Sequence, residues 1–495
     1  MSAEIKETHT AVVFLVGTHA YKLKKPVNLG FLDFTTQRAR RAACEQEVEL
    51  NRRLTPDVYE GVADILSPNG QLCEHLVVMR RMPDERRLAT LIRAGKPVDE
   101  ALRGIARQIA GLHAKARHGP QIDQQGSSQA LRARWMDSFL QVRGLPGAPI
   151  EPAILDEIER LTLRFIDARA PLFEARIVEG RIVDGHGDLL AEDIFCLEDG
   201  PRILDCLEFD KRLRFLDGLD DAAFLAMDLE RLGAPRLAEQ FLRWYVEFSG
   251  DPAPPTLWHH YLAYRAFVRA KVTCLRHWQG DTEARWEARR LAELTARHLR
   301  AGTVTLVLVG GSPGTGKSTL AGAIADRLGH TVLRSDRVRK ELADMDPLQS
   351  ASAPYREGIY TPDHTERMYA ELLKRAELLL TLGEPVVLDA SWIDERHRAM
   401  AAQVASRTMS DLMTLRCTVM PQIAAERLAA RQQDISDADQ AIGQAMTATM
   451  EPWPEAVEID TGVPEEHTVQ RALAAILSPE SGTSWRFLRP RMGPD

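Results

Sequence analysis

The sequence predicts two domains of different class: an α+β domain over residues 1–300, then an α/β domain with a parallel sheet over residues 301–478. Three observations carry this. The apolar run Val304–Val309 enters Gly311-Ser312-Pro313-Gly314-Thr315-Gly316-Lys317-Ser318 and leaves through a helical pattern, Thr319–Leu328. That strand–loop–helix order opens a parallel α/β sheet. Far upstream, a β-hairpin pattern gives way to long helical stretches around His186-Gly187-Asp188. From Asp217 to about Arg300 the pattern is helical almost throughout, and it meets the next strand near Ala301 without a flexible linker.

With 495 residues the chain is too long for one core, and 44% hydrophobic residues are enough to bury two. A mean hydropathy of −0.25 suits a soluble globular chain. The net charge of −8 argues against broad binding to nucleic acid or an anionic membrane. Six cysteines lie far apart with no C-x-x-C pair, which predicts reduced thiols rather than a disulfide frame or a zinc site. Met1–Thr10 is polar with mixed charge, unlike a secretory signal, and no apolar run approaches the ~20 residues of a membrane span. A cytoplasmic protein is expected. Residues 479–495 place Arg486, Arg489 and Arg491 among Pro, Gly and Ser, the composition of a loosely held tail.

In chain order, Val12–Val16 and Ala20–Lys24 flank Gly17-Thr18-His19 as a hairpin. A helix over Thr36–Leu54 ends at Thr55-Pro56, and Leu76–Met79 reads as a strand. Leu102, Ile105, Ile109 and Leu112 share a helix face, Pro120–Ser128 reads as a loop, and helices follow over Leu131–Leu140 and Ile154–Phe173. Ile182-Val183 leads into His186-Gly187-Asp188, and Arg202–Glu208 reads as a strand after the turn Glu198–Pro201.

The loop Gly311–Ser318 carries the clearest chemistry. Its glycines let backbone N–H groups turn inward around phosphate oxygens, ahead of the positive end of a helix. Lys317 then reaches the outer phosphates and the Ser318 hydroxyl ligates Mg²⁺; Thr319 starts the helix. The strand Thr331–Leu333 ends at Ser335-Asp336, where Asp336 either takes the proton of an acceptor hydroxyl or caps the following helix. The strand Pro385–Leu388 ends at Asp389, placed to hold Mg²⁺ directly or through water. Arg427 and Arg431 share a helix face, as lid arginines over a transferring phosphate or as a solvated charged face.

These residues, with Arg339-Lys340, Tyr355 and Tyr360, resemble the P-loop kinases of the gluconate kinase, polynucleotide kinase and zeta-toxin kind. They resemble more closely the ATP-binding domain fused behind an aminoglycoside-phosphotransferase-like domain. The resemblance covers about 300–460 and implies ATP, Mg²⁺ and γ-phosphoryl transfer to a hydroxyl of a small molecule. GTP is disfavoured, because guanine-specific switches read the base with an N-K-x-D-type motif. The only asparagines here are Asn28, Asn51 and Asn69.

His186-Gly187-Asp188, Asp193 and Asp205, followed by Asp217-x-x-x-Asp221, resemble the protein-kinase-like fold of the aminoglycoside phosphotransferases over about 10–290. The resemblance implies Asp188 as base, Asp205 and Asp193 as Mg²⁺ ligands, Lys22 or Lys24 on the phosphates, and Glu47 as the partner of that lysine. It also draws attention to Tyr264-Arg265 and Arg269-Ala-Lys271, a basic stripe suited to an anionic group. The family has Asn where this chain has Asp193, and Leu-His where it has Leu189-Leu190; a glycine-rich loop is missing. The activity of the first domain is therefore open. The competing expectation is a nucleotide-dependent sensor whose first domain is a ligand-binding pseudokinase.

Overall fold

A computed structural model describes residues 4–8, 10–28, 32–346, 349, 357–430 and 440–477. Arg431, Tyr355 and the expected tail 479–495 lie outside the described residues. The chain divides into two units: Met1–Ile166 with Leu172–Gly302, and Asp167–Pro171 with Thr303–Asp495. The first is an α+β unit and the second an α/β unit with a parallel sheet, both classes as expected.

In the first unit, β1 (Glu4–Glu7), β2 (Ala11–Val16), β3 (His19–Lys24), β4 (Tyr59–Leu66) and β5 (Leu72–Arg80) form an antiparallel sheet in the order β1-β2-β3-β5-β4. Strand alternation puts Ala20, Lys22 and Lys24 on one face of β3. Helix Gln37–Asn51 packs near it, with Cys44, Glu47 and Val48 at helical spacing, and Thr36 caps it by accepting from the Ala39 N–H. The rest is helical, apart from two short antiparallel pairs. These are β6 (Ile182–Asp184) with β9 (Phe215–Asp217), and β7 (Ile194–Leu197) with β8 (Gly200–Ile203).

Three local expectations differ from the structure. The strand expected over Arg202–Glu208 stops at Ile203, because Asp205 has φ 64°, which no strand residue can hold. The helix expected over Ile154–Phe173 is two, Pro152–Ala168 and Ala170–Val178; Pro171 lacks the N–H needed to carry one helix through. Within Pro120–Ser128, residues Pro120–Asp123 form a short helix with Pro at its start, and Ser127 caps helix Ser128–Arg143.

The second unit has five parallel strands: β10 (Thr305–Gly310), β11 (Thr331–Arg334), β12 (Val386–Asp389), β13 (Asp411–Thr418) and β14 (Val457–Asp460), in the order β11-β12-β10-β13-β14. Val307 and Val309 of β10 bury against Leu320 and Ile324 of helix Lys317–Leu328. The chain leaves β10 toward β11 and β12, then crosses to the other side for β13 and β14. The C-terminal end of β10 is therefore a switch point, where open α/β sheets take ligands. Among the described residues, no helix is long and apolar enough to cross a membrane. All six cysteines are free thiols, five of them buried.

Candidate functional site

The loop after β10 is built so that side chains stay out of it. Gly311, Gly314 and Gly316 have φ of 141°, 82° and 79°. A Cβ on Gly314 would meet the Ala424 carbonyl oxygen at 2.7 Å, and one on Gly311 the Cys417 carbonyl oxygen at 2.8 Å. The loop is closed by Thr315, whose hydroxyl donates to the Ser312 carbonyl at 2.7 Å, while the Ser312 hydroxyl accepts from Thr447 at 2.8 Å. Gly316 occupies the cap position of helix Lys317–Leu328, whose first turn holds Ser318 and Thr319.

Asp389 ends β12 directly beside Val309 of β10. The residue is buried, 4% exposed. Burial raises its pKa, and Lys317 and a hydrogen bond from Ser318 oppose that rise. One oxygen, Oδ1, is buried without a hydrogen-bond partner. An orphaned carboxylate oxygen beside a serine hydroxyl and an ammonium group suits Mg²⁺ carrying phosphate.

Lys317 and Pro313 also line a cavity of about 300 Å³, whose other side carries Asp336, Arg339, Tyr369 and His397. Asp336 sits in the first turn of helix Ser335–Glu341. The cap position of that helix is Arg334 and no side chain caps it, so the expected capping role of Ser335-Asp336 is not the one observed. Arg339 donates to the Ile359 carbonyl at 2.9 Å and to Thr365 Oγ1 at 3.0 Å, with its guanidinium over the Tyr360 ring. The Tyr369 ring stacks on His397 at 3.9 Å and its hydroxyl accepts from the Trp392 N–H at 3.2 Å. Trp392 is fully buried at φ 53°, a strained conformation for a bulky residue. Arg427 lies beside the loop: its guanidinium donates to the Thr461 carbonyl at 2.7 Å and would approach a Cβ on Gly316 to 3.4 Å.

In the first unit, Lys22 Nζ lies 2.9 Å from Glu47 Oε1 and donates to Asp205 Oδ1 at 2.6 Å. Lys24 Nζ lies 2.6 Å from the other Glu47 oxygen and donates to Glu208. Glu47 is fully buried, and both lysines approach it off the hydrogen-bonding direction, so the contacts are ionic. Both lysines pair with Glu47, and only Lys22 also reaches Asp205. Glu208 was not foreseen; it follows the irregular turn that the sequence reads as strand.

The loop bearing Asp188 is braced from below. Asp221 accepts from the N–H groups of His186 at 2.6 Å and Gly187 at 2.9 Å, and meets His113 Nε2 at 3.0 Å. Asp228 accepts from the Ala191 N–H at 2.9 Å, and Asn51 Oδ1 from the Cys206 N–H at 2.9 Å. A Cβ on Gly185 would sit 2.4 Å from Asp221 Oδ2, so only glycine fits there. Burial pushes the Asp188 carboxyl up to about 7; Arg269 draws it down and Asp205 adds to the rise. Burial also raises Asp193 well above the usual range, helped by Asp205 and Asp188. Asp205 keeps its side chain partly exposed, and Lys22 holds its carboxyl below its ordinary value against the pull of desolvation. The carboxyls of Asp188, Asp193 and Asp205 thus lie near enough to act on one another's charge. Among the described residues, no group of three or more His, Cys, Asp or Glu side chains is arranged to hold a metal ion.

The Asp188 shift has a sign. Folded, the carboxyl keeps its proton to about pH 7, whereas unfolded it releases it near its ordinary value of about 3.9. Its contribution to stability therefore falls as pH rises from about 4 to about 7 and stays low above that. Asp188→Asn is expected to raise the melting temperature of the first unit at about pH 8 but not at about pH 4. Thermal unfolding at the two pH values checks this, and an equal shift at both contradicts it.

Residues 306–453 match a protein family described as an AAA domain. The chain is 43% identical over 469 residues to the Mycobacterium tuberculosis protein named Uncharacterized protein Rv2004c, covering 95% of this chain and 94% of that protein. It belongs to that protein's family. The Mycobacterium bovis protein named Uncharacterized protein Mb2027c matches with the same identity and coverage. Among solved structures, a choline/ethanolamine kinase family protein from Mesorhizobium loti is similar at TM-score 0.39 and 16% identity, over 61% of this chain and 92% of its own. A sugar kinase from Janibacter sp. HTCC2649 is similar at TM-score 0.29 and 20% identity, over 36% of this chain and 99% of its own.

Proposed function

We propose that the second unit is a kinase moving the γ-phosphoryl group of ATP to a hydroxyl of a small molecule bound in the cavity beside Lys317. The observation that carries this reading is that Lys317, at the phosphate loop, and Asp336, a carboxylate free of any capping role, line the same cavity. In this reading the loop N–H groups and Lys317 hold the outer phosphates, and Ser318 with the orphaned oxygen of Asp389 holds Mg²⁺. Bound Mg²⁺ neutralises charge on the β- and γ-phosphates. Asp336 orients the acceptor hydroxyl and takes its proton, and Arg427 adds positive charge next to Gly316. The lack of any asparagine beyond Asn69 favours ATP over GTP.

The second reading, a nucleotide-dependent sensor with a pseudokinase first unit, has its own support. Lys22 is already bonded to Asp205, and Asp193 brings a further carboxylate where phosphates would lie. Acceptor-stimulated ADP release separates the two. A kinase is expected to release ADP faster with at least one member of a hydroxyl-compound library and to form a phosphate ester visible by phosphorus NMR. ATP turnover that no acceptor stimulates and that forms no ester overturns the kinase reading in favour of the sensor.

A further inference from the structure

Tyr369 belongs to two structures at once. It lines the cavity that also holds Lys317, Asp336 and His397. On the cavity side its ring stacks on His397, and that imidazole is held in place by Glu366, whose Oε1 lies 3.2 Å from Nε2. Its hydroxyl meets the turn 390–392, which follows Asp389. It accepts from the Trp392 N–H at 3.2 Å and stands 3.4 Å from Ser391 Oγ.

That turn keeps its shape only because its surroundings impose it. Trp392 has φ 53°, a conformation that costs a bulky residue energy and persists where several contacts over-determine it. Here they are the Tyr369 hydroxyl on its N–H, the Arg398 guanidinium donating to its carbonyl at 2.8 Å, and its own full burial. The same turn grips the phosphate loop. The Ser391 carbonyl accepts from the Gly311 N–H at 3.2 Å, and the Ala390 N–H donates to the Val309 carbonyl at 3.3 Å. Gly311 is where the loop leaves β10, at φ 141°. The path from cavity to loop is therefore short: Tyr369 hydroxyl, strained turn, Gly311.

We propose that Tyr369 is a positioning residue that couples the acceptor cavity to the phosphate loop. An acceptor seated against the Tyr369–His397 pair steadies the turn, and through Ser391 it steadies Gly311. Without the hydroxyl, the Trp392 N–H is left buried and unpaired, and the strained turn relaxes away from the loop. The proposal rests on the kinase reading of the second unit and adds a residue that reading does not use.

The test uses the full chain with Tyr369→Phe, His397→Ala and both together. Mg·ATP affinity is measured by calorimetry, and amide hydrogen exchange by mass spectrometry well below the melting temperature. Tyr369→Phe keeps the ring and removes only the hydroxyl. It is expected to weaken Mg·ATP binding by about 10-fold, the order of one hydrogen bond lost from a buried donor. Exchange is expected to quicken in the peptides holding Gly311 and Trp392 and not elsewhere. His397→Ala removes the stacked ring and is expected to weaken binding by a smaller factor. The double variant is expected to bind no more weakly than Tyr369→Phe, because both changes act through one side chain. Unchanged affinity in Tyr369→Phe, with faster exchange spread over the whole second unit, makes the residue structural and overturns the proposal. Loss of the fold in Tyr369→Phe, or factors that multiply in the double variant, overturn it too. A wild-type chain that binds no Mg·ATP fails the kinase reading itself, and the proposal falls with it.

Discussion

Lys317→Ala is expected to weaken Mg·ATP binding by roughly 100-fold or more while leaving the fold intact. Lys317 opens helix Lys317–Leu328, and alanine is the best helix former, so the element itself loses nothing. The glycine loop stays closed by the Thr315–Ser312 contact, which the substitution does not touch. What disappears is the positive charge facing both the cavity and Asp389. Without it, burial raises the Asp389 carboxyl further, and the oxygen suited to Mg²⁺ becomes harder to ionise. Both losses act on the phosphate end of the nucleotide. Calorimetric titration with Mg·ATP checks the outcome; unchanged affinity in a folded variant removes Lys317 from the nucleotide site.

Asp336→Asn is expected to separate binding from transfer. Asparagine keeps the size of the side chain and removes its charge, and Asp336 faces the cavity from the strand end after helix Lys317–Leu328. A positioned base contributes roughly 10²–10⁴-fold to a proton-coupled step, so acceptor phosphorylation should fall by that order while Mg·ATP affinity holds. Because the helix is capped by no side chain, a stability change cannot be confused with loss of a cap. Transfer at the wild-type rate in Asp336→Asn would leave the residue no role in the reaction.

Legibility in the sequence follows how local each feature is. The phosphate loop needs glycines, a lysine and a serine within eight positions between a strand and a helix, and all of it is contiguous from Gly311 to Ser318. Asp389 was readable because an apolar strand ends on it. The Lys22–Glu47 contact joins a strand to a helix across a long gap, and only the family resemblance pointed to it. The second pair, Lys24 with Glu208, depends on the turn at Asp205, whose positive φ has no signature in a non-glycine residue. Tyr369, His397 and Glu366 meet across helices Pro362–Thr381 and Glu395–Arg407, a contact between two helices that no contiguous motif marks. Strands β1, β4, β13 and β14 escaped because polar residues interrupt their apolar runs, as in Asp411-Leu-Met-Thr-Leu-Arg-Cys-Thr418. Pairing with neighbours settles them as strands.

The most direct measurement is acceptor-stimulated ADP release by Lys317→Ala and Lys22→Ala, side by side with the wild-type chain. Each variant removes the lysine expected to hold phosphate in one unit and leaves the sequence of the other unit unchanged. If phosphoryl transfer runs in the second unit, Lys317→Ala loses the stimulated rate and Lys22→Ala keeps it. Full stimulation in Lys317→Ala, with its loss in Lys22→Ala, would move the reaction to the first unit and contradict the account.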